Sequence, residues 1–186
     1  MIHLETKRLI LRDFMPEDLD FSFRLKSDPK AMLYLEDIAL KTKEDACRDL
    51  AAILADQQKG EGRTMVFLLI QSKEGERIGS VGYTVSDFTP GGKQASAGYF
   101  ILPEYWGQGI VTEAFARTLD FAFGEHAVHR LSCGCLKENA ASERVMRKCG
   151  MVWEADRPQS QWHGGRWKDR VDYRLLRQEW ERLRQG

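Results

Sequence analysis

Proline and cysteine are scarce in this chain, five and four among 186 residues. Four cysteines in a chain of this length do not suggest a disulfide-stapled scaffold. Neither sign of charge prevails, since 28 Lys plus Arg face 28 Asp plus Glu. A zero formal balance offers no global attraction to nucleic acid or to an anionic membrane, so neither is an expected partner. No apolar run is long enough to cross a bilayer. The start, Met1-Ile2-His3-Leu4-Glu5, lacks the basic-then-apolar form of a secretory signal, and the expectation is a cytoplasmic protein. There is no internal repeat, low-complexity tract or linker. What is present is the apolar and charged content of a globular protein, in a length that fits one domain spanning 1–186.

Cys133-Gly134-Cys135 lies in a strand-like run, so its two thiols share a face. With His129 they could be imagined around a metal, but the spacing matches no usual zinc pattern. The reading is buried thiols in a reducing compartment and no metal.

The pattern along the chain alternates between helix and strand. Arg8 to Phe14 reads as a first strand. Pro16-Glu17-Asp18 opens a helix that Asp28-Pro29 breaks. Thr42, with Asp45 three residues on, caps a second helix whose buried face is Ala46, Leu50, Ile53 and Leu54. Met65–Ile70, Ile78–Val85 and Ser96–Leu102 follow with short connections and predict an antiparallel meander. A helix runs from Ile110 to about Gly124. Leu131–Leu136 is a strand, and Asn139 caps a short helix over Ala140–Lys148, closed by Gly150. Met151-Val152-Trp153 begins another strand. Residues 161–167 read as a loop, Val171–Leu176 as the last strand, and Glu179-Trp180 as the start of a terminal helix. The sum is one mixed α/β (α+β) domain.

The most informative stretch is Glu104-Tyr105-Trp106-Gly107-Gln108-Gly109-Ile110-Val111-Thr112-Glu113-Ala114. It follows the apolar Tyr99-Phe100-Ile101-Leu102 and opens an apolar periodic segment. Strand, glycine turn and helix start place several unpaired N–H groups at one point, which suits an anion such as a pyrophosphate. It is not the dinucleotide fingerprint, because Thr112 stands where the third glycine belongs. No P-loop pattern occurs.

A second motif accompanies it: Asn139-Ala140-Ala141-Ser142-Glu143-Arg144-Val145-Met146-Arg147-Lys148-Cys149-Gly150-Met151. Together the two resemble the acetyl-CoA motifs of the GNAT superfamily of N-acetyltransferases. Arg8-Leu9-Ile10-Leu11-Arg12 and Tyr173-Arg174-Leu175-Leu176, with Glu179-Trp180, are similar to the ribosomal-protein N-terminal acetyltransferase branch (RimJ/RimL type). The resemblance implies a strongly curved, mostly antiparallel sheet with helices on both faces. Two strands, 96–102 and 131–136, would splay into a V that admits acetyl-CoA. It implies that the backbone of Phe100, Ile101 and Leu102 holds the pantetheine arm. The N–H groups of Gly107, Gln108, Gly109, Ile110, Val111 and Thr112 would hold the pyrophosphate. Asn139 would bond pantetheine, Ser142 would sit near the sulfur, and Lys148 would face the phosphates.

Two residues depart from the family pattern. Glu104 stands where Gln or Arg is usual; beside a pyrophosphate it would repel, so it points away or serves the acceptor side. Met146 occupies the position of the tyrosine that protonates the thiolate in many relatives and cannot donate. Ser142 is the substitute, although an N3 hydroxyl is equally suited to bonding its own helix. The implied reaction is direct attack by a primary amine, a protein N-terminus or a small molecule, in a ternary complex. No strong base is evident, which favours low-pKa amines; Glu104, Asp87, Tyr99 and His163 are the candidates. Trp162, Trp167, Tyr34 and Phe88 could frame the acceptor groove, and Glu36 and Asp37 could attract its charge. The alternative is a non-catalytic acyl-CoA-binding or regulatory domain. Edge strands permit a homodimer.

Overall fold

The computed structural model describes residues 1–185. Its strands are β1 (His3–Glu5), β2 (Leu9–Asp13), β3 (Met65–Ser72), β4 (Arg77–Thr89), β5 (Gly92–Ile101), β6 (Val128–Leu136), β7 (Val152–His163) and β8 (Arg166–Leu176). They form one eight-stranded sheet in the order β1-β2-β3-β4-β5-β6-β8-β7. Every neighbouring pair is antiparallel except β5 and β6. The helices are α1 (Leu19–Ser27), α2 (Lys43–Gln57), α3 (Ile110–Gly124), α4 (Ala140–Lys148) and α5 (Arg177–Gln185). The parallel pair requires a crossover, and α3 supplies it.

β3 shows how one sheet serves two cores. Val66, Leu68 and Ile70 face Phe115 and Phe123 of α3, while Phe67 and Leu69 face Phe21, Leu25, Leu50 and Ile53 of α1 and α2. A strand buried on both faces reads as a continuous apolar run, which is what 65–70 is. The predicted Thr42 cap forms a reciprocal box: Thr42 Oγ1 accepts from the Asp45 N–H, and Asp45 accepts from the Thr42 N–H, both at 3.1 Å. The C-terminal end of α1 and the ends of α3 and α4 also fall where the sequence placed them, while Pro16–Asp18 is a 3₁₀ turn ahead of α1 rather than its first turn.

Several elements differ from expectation. β1 was not legible, being three residues long. The predicted loop at 161–167 is the tip of the β7–β8 hairpin, with strand through His163 and again from Arg166. Only Gly164 and Gly165 turn, at φ +57° and +76°, the primed geometry that matches strand twist. Trp162 and Trp167 pair edge-on across it, 5.6 Å between rings. The last strand therefore begins at Arg166 rather than Val171. The splaying strands also start earlier than 96 and 131, and Leu102 lies past the end of β5.

The splay is visible in the register. β5 and β6 pair from Lys93 with Val128 to Ser96 with Ser132 and no further. β5 stays paired with β4 as far as Ile101, and β6 with β8 as far as Leu136. Each strand thus keeps its outer partner while losing its inner one, which opens a V after Ser96 and Ser132.

Candidate active site

The V exposes the inner edges of β5 and β6, and the β4 register says which β5 residues face it. Leu102 N–H donates to Ile78 O at 3.0 Å. Bonded and non-bonded positions alternate along an antiparallel ladder. Counting back, Phe100 and Gly98 bond β4, and Ala97, Tyr99 and Ile101 turn their backbone groups toward the opening. Three observed bonds follow that parity: Lys93 N–H to Ala127 O, Ser132 Oγ to Ala95 O, and Trp106 Nε1 to Ile101 O. The expected contact through Phe100, Ile101 and Leu102 is therefore corrected. Phe100 and Leu102 serve β4, Ile101 O already accepts the Trp106 indole, and the outward edge is Ala97, Tyr99 and the N–H of Ile101.

At the mouth of the V, Pro103–Tyr105 makes a single 3₁₀ turn, and α3 begins after Gly109. Gly107 and Gly109 have φ of +75° and +73°. Side chains resist that conformation, and a Cβ at Gly107 would meet nothing within 4 Å, so open space lies over the turn. The first intrahelical bond is Glu113 N–H to Gly109 O. The N–H groups of residues 107–112 find no acceptor among the described residues. The arrangement is a ready-made anion nest.

Glu104 is tied to α1. Its carboxylate pairs with Arg24 of α1 at 2.6 Å, on the exposed α1 face, while its carbonyl accepts from Gln108 Nε2 at 3.1 Å. Ser142 lies by Tyr99, whose ring packs on Phe115 of α3, and no hydrogen bond joins it to Glu104 among the described residues.

Ser142 is N3 of α4. Asn139 caps this helix, its Oδ1 accepting the Ser142 N–H at 3.1 Å. The oxygen is therefore committed to the cap. Tyr99 Oη lies 3.0 Å from both Ser142 O and Ser142 Oγ. Its ring packs on Phe115 with centroids 4.9 Å apart. Burial drives the Tyr99 phenol well above its ordinary value, so it is neutral at pH 7 and no base. Cys133 and Cys135 are buried beside it, and burial pushes the Cys133 thiol to about 12. Met146 is wholly buried, a core residue. α4 is fixed from both sides. Tyr173 Oη donates to Glu143 at 2.7 Å and accepts from Arg147 at 2.8 Å, and Cys149 Sγ contacts Thr112 O at 3.6 Å. Lys148, next to Cys149, is exposed.

The remaining candidates separate. Asp87 and Phe88 sit by the β4–β5 turn, at the closed end of the V, far from its mouth. His163 is buried at the hairpin tip: Nδ1 lies 3.5 Å from Glu36 Oε2, and its ring is 6.1 Å from Tyr34. Gly164 N–H reaches the same Glu36 oxygen at 3.3 Å. This contact joins the tip of the β7–β8 hairpin to the segment between α1 and α2.

Residues 8–152 match the model of the acetyltransferase (GNAT) domain. The chain belongs to the GNAT acetyltransferase family. It is 28% identical over 179 residues to the uncharacterized N-acetyltransferase YnaD of Bacillus subtilis (strain 168), covering 96% of this chain and 99% of that one. Two solved structures share the fold. One is spermidine N-acetyltransferase from Vibrio cholerae in complex with CoA and spermine (TM-score 0.83, 19% identity, 95% and 99% covered). The other is RimL, the ribosomal L7/L12 alpha-N-protein acetyltransferase in complex with coenzyme A (TM-score 0.83, 19% identity, 94% and 98% covered). The mixed, mostly antiparallel sheet with helices on both faces is thus the GNAT fold, and the protein is an acetyltransferase with acetyl-CoA as its acetyl donor. The structure fits that donor: an open strand edge, and at its mouth an exposed nest of amides over which a glycine Cβ would meet empty space.

Sequence reasoning missed Arg8, which reaches the nest from the start of the chain, and the Tyr99–Ser142 contact. The Arg-Leu-Ile-Leu-Arg motif flagged the first without a role. Nothing local flagged the second, because 43 residues separate the partners.

Proposed function

We propose that this single domain, residues 1–186, transfers the acetyl group of acetyl-CoA to a primary amine, a protein N-terminal α-amine or a small-molecule amine, by direct attack in a ternary complex. The observation that carries the reading is the parting of β5 and β6 after Ser96 and Ser132, with the amide nest at its mouth. The backbone of Ala97, Tyr99 and Ile101 holds the pantetheine arm as a pseudo-strand. Gly107, Gln108, Gly109, Ile110, Val111 and Thr112 hold the pyrophosphate, with Lys148 facing the phosphates. Asn139 has its oxygen in the cap, so only its Nδ2 is left for pantetheine.

Bound acetyl-CoA supplies an activated acyl group as a thioester. The Ile101 N–H, which the strand alternation turns away from β4, would polarise the thioester carbonyl. Aligned reactants save about 7–11 kcal/mol, so positioning carries most of the rate. Transfer moves one proton from nitrogen to sulfur. Ser142 Oγ gives its proton to sulfur and recovers one from the amine side, so no alkoxide persists. Tyr99 Oη lies 3.0 Å from that hydroxyl, and its own hydrogen can go to Ser142 O. An α-amine titrates at about 7.7–8.0 against about 10.4 for lysine. A weak base therefore suffices, and Glu104, paired with Arg24 on the α1 face, is suited only to that. Tyr34 and Glu36 meet at His163, while Trp162 and Trp167 pair on the opposite face of the same hairpin.

Four unpaired cysteines fit a reducing cytoplasm. No described helix is long and apolar enough to cross a membrane. The exposed outer edge of β7 is where a second copy would dock in a homodimer. The test is thiol release from acetyl-CoA with a panel of peptides, polyamines and other small amines. Turnover with a primary amine is expected. Tight CoA binding without turnover by any member favours a non-catalytic acyl-CoA-binding domain.

A further inference from the structure

Glu113 poses an electrostatic problem. It lies in the first turn of α3, beside the amides read above as the phosphate site. A bare carboxylate there would repel a phosphate. Its charge is absorbed by three donors from the connection between β1 and β2: Thr6 Oγ1 at 2.6 Å, Arg8 N–H at 3.0 Å and Arg8 Nε at 2.6 Å. The same guanidinium reaches the nest itself. Arg8 Nη1 donates to Gln108 O at 3.1 Å, and Arg8 Nη2 would lie 3.8 Å from a Cβ added at Gly109. The Arg8 side chain is 48% exposed, so it is open to a ligand.

We propose that Arg8 binds a phosphate of acetyl-CoA, its guanidinium anchored by Glu113 and the Gln108 carbonyl so that Nη2 faces the anion held at the Gly107–Thr112 amides. Nε and Nη1 are occupied by protein acceptors, which fixes the plane of the fork, and a planar fork held in this way suits phosphate oxygens. The bond to Gln108 O also turns that carbonyl away from the anion. A lysine keeps the charge but cannot anchor and bind at once. The inference rests on the phosphate-loop reading and adds a cation to it.

The experiment is calorimetric binding of CoA and dephospho-CoA, with steady-state kinetics, for wild type, Arg8→Gln, Arg8→Lys, Glu113→Gln, the Arg8→Gln/Glu113→Gln pair and Gly109→Val. Arg8→Gln is expected to weaken CoA binding about tenfold or more. The KM for acetyl-CoA should rise in step, with a smaller change in kcat, and the salt dependence of binding should become shallower than in wild type. Arg8→Lys should fall between. Equal loss for both ligands places Arg8 on the pyrophosphate; loss confined to CoA places it on the 3′-phosphate; either supports the proposal. Glu113→Gln keeps Arg8 but loosens its anchor, so it should weaken CoA binding less than Arg8→Gln does; a loss larger than that of Arg8→Gln would overturn the proposal. Wild-type affinity in Arg8→Gln overturns the proposal. So does recovery of wild-type affinity in the double variant, which would leave Arg8 only neutralising Glu113. If Gly109→Val also binds as wild type does, the loop reading itself is wrong; if Gly109→Val binds weakly and Arg8→Gln normally, only the role of Arg8 fails.

Discussion

Tyr99 Oη and Ser142 Oγ lie 3.0 Å apart, joining the free arm of the V to the first turn of α4. The phenol has a second acceptor in Ser142 O, also at 3.0 Å. With its own hydrogen on that carbonyl, Tyr99 leaves the serine hydroxyl hydrogen able to turn into the opening. Ser142→Ala should lower kcat by about 10²-fold or more, the range of general acid–base groups, with little change in the KM for acetyl-CoA. Tyr99→Phe should lower it less. Initial-rate kinetics decide; equal losses in kcat and in cofactor affinity for Ser142→Ala would make Ser142 a binding residue.

Gly109 is the hinge between the nest and α3. A valine there must adopt φ near +73°, which costs about 1–2 kcal/mol and displaces the amides. Gly109→Val should raise the KM for acetyl-CoA about tenfold while the KM for the amine moves less. An unchanged cofactor KM would remove these amides from the phosphate site.

The contact of His163 and Gly164 with Glu36 ties the β7–β8 hairpin tip to the segment between α1 and α2. His163→Ala removes the imidazole half of that tie. The expected result is a higher KM for the amine, with the KM for acetyl-CoA within about twofold, since the nest is untouched. Equal effects on both substrates would show that the hairpin tip holds up the whole site.

Stability in acid should fall in two steps. Burial alone would raise the Asp18 carboxyl, but Arg12, the Met15 N–H and Arg77 hold it below the usual carboxylate range. A lowered carboxyl stabilises the fold above its unfolded value of about 3.9, and that stability is lost as pH falls through the lower folded value. Asp18→Asn should cost about 3 kcal/mol at pH 7 and flatten this limb of the denaturation profile.

His126 governs the milder range. Burial, with Lys93 and Arg63 nearby, lowers it to about 4, and its Nδ1 lies 2.8 Å from the buried Tyr83 hydroxyl. The unfolded chain takes up its proton near 6.5, so stability drains between pH 6.5 and about 4. His126→Gln should lose about 1–2 kcal/mol at pH 7 and show a flatter slope across that window in urea titrations.

Local chemistry, with the motif resemblance, was enough for much of this protein. The Thr42–Asp45 box, the Asn139 cap, the glycines before α3 and the apolar run of β3 each act within a few residues, so the chain carries them openly. The order of the two motifs pointed to an acyl-CoA site for the same reason. Tertiary structure decided the rest. Whether Phe100 or Tyr99 offers its backbone to the V depends on the β4 ladder, a pairing between distant segments. Arg8 meets Glu113 across 105 positions, and His163 meets Glu36 across 127. A hydrogen bond is specified by where two groups end up in space, and no periodicity in one segment reports where the other will be.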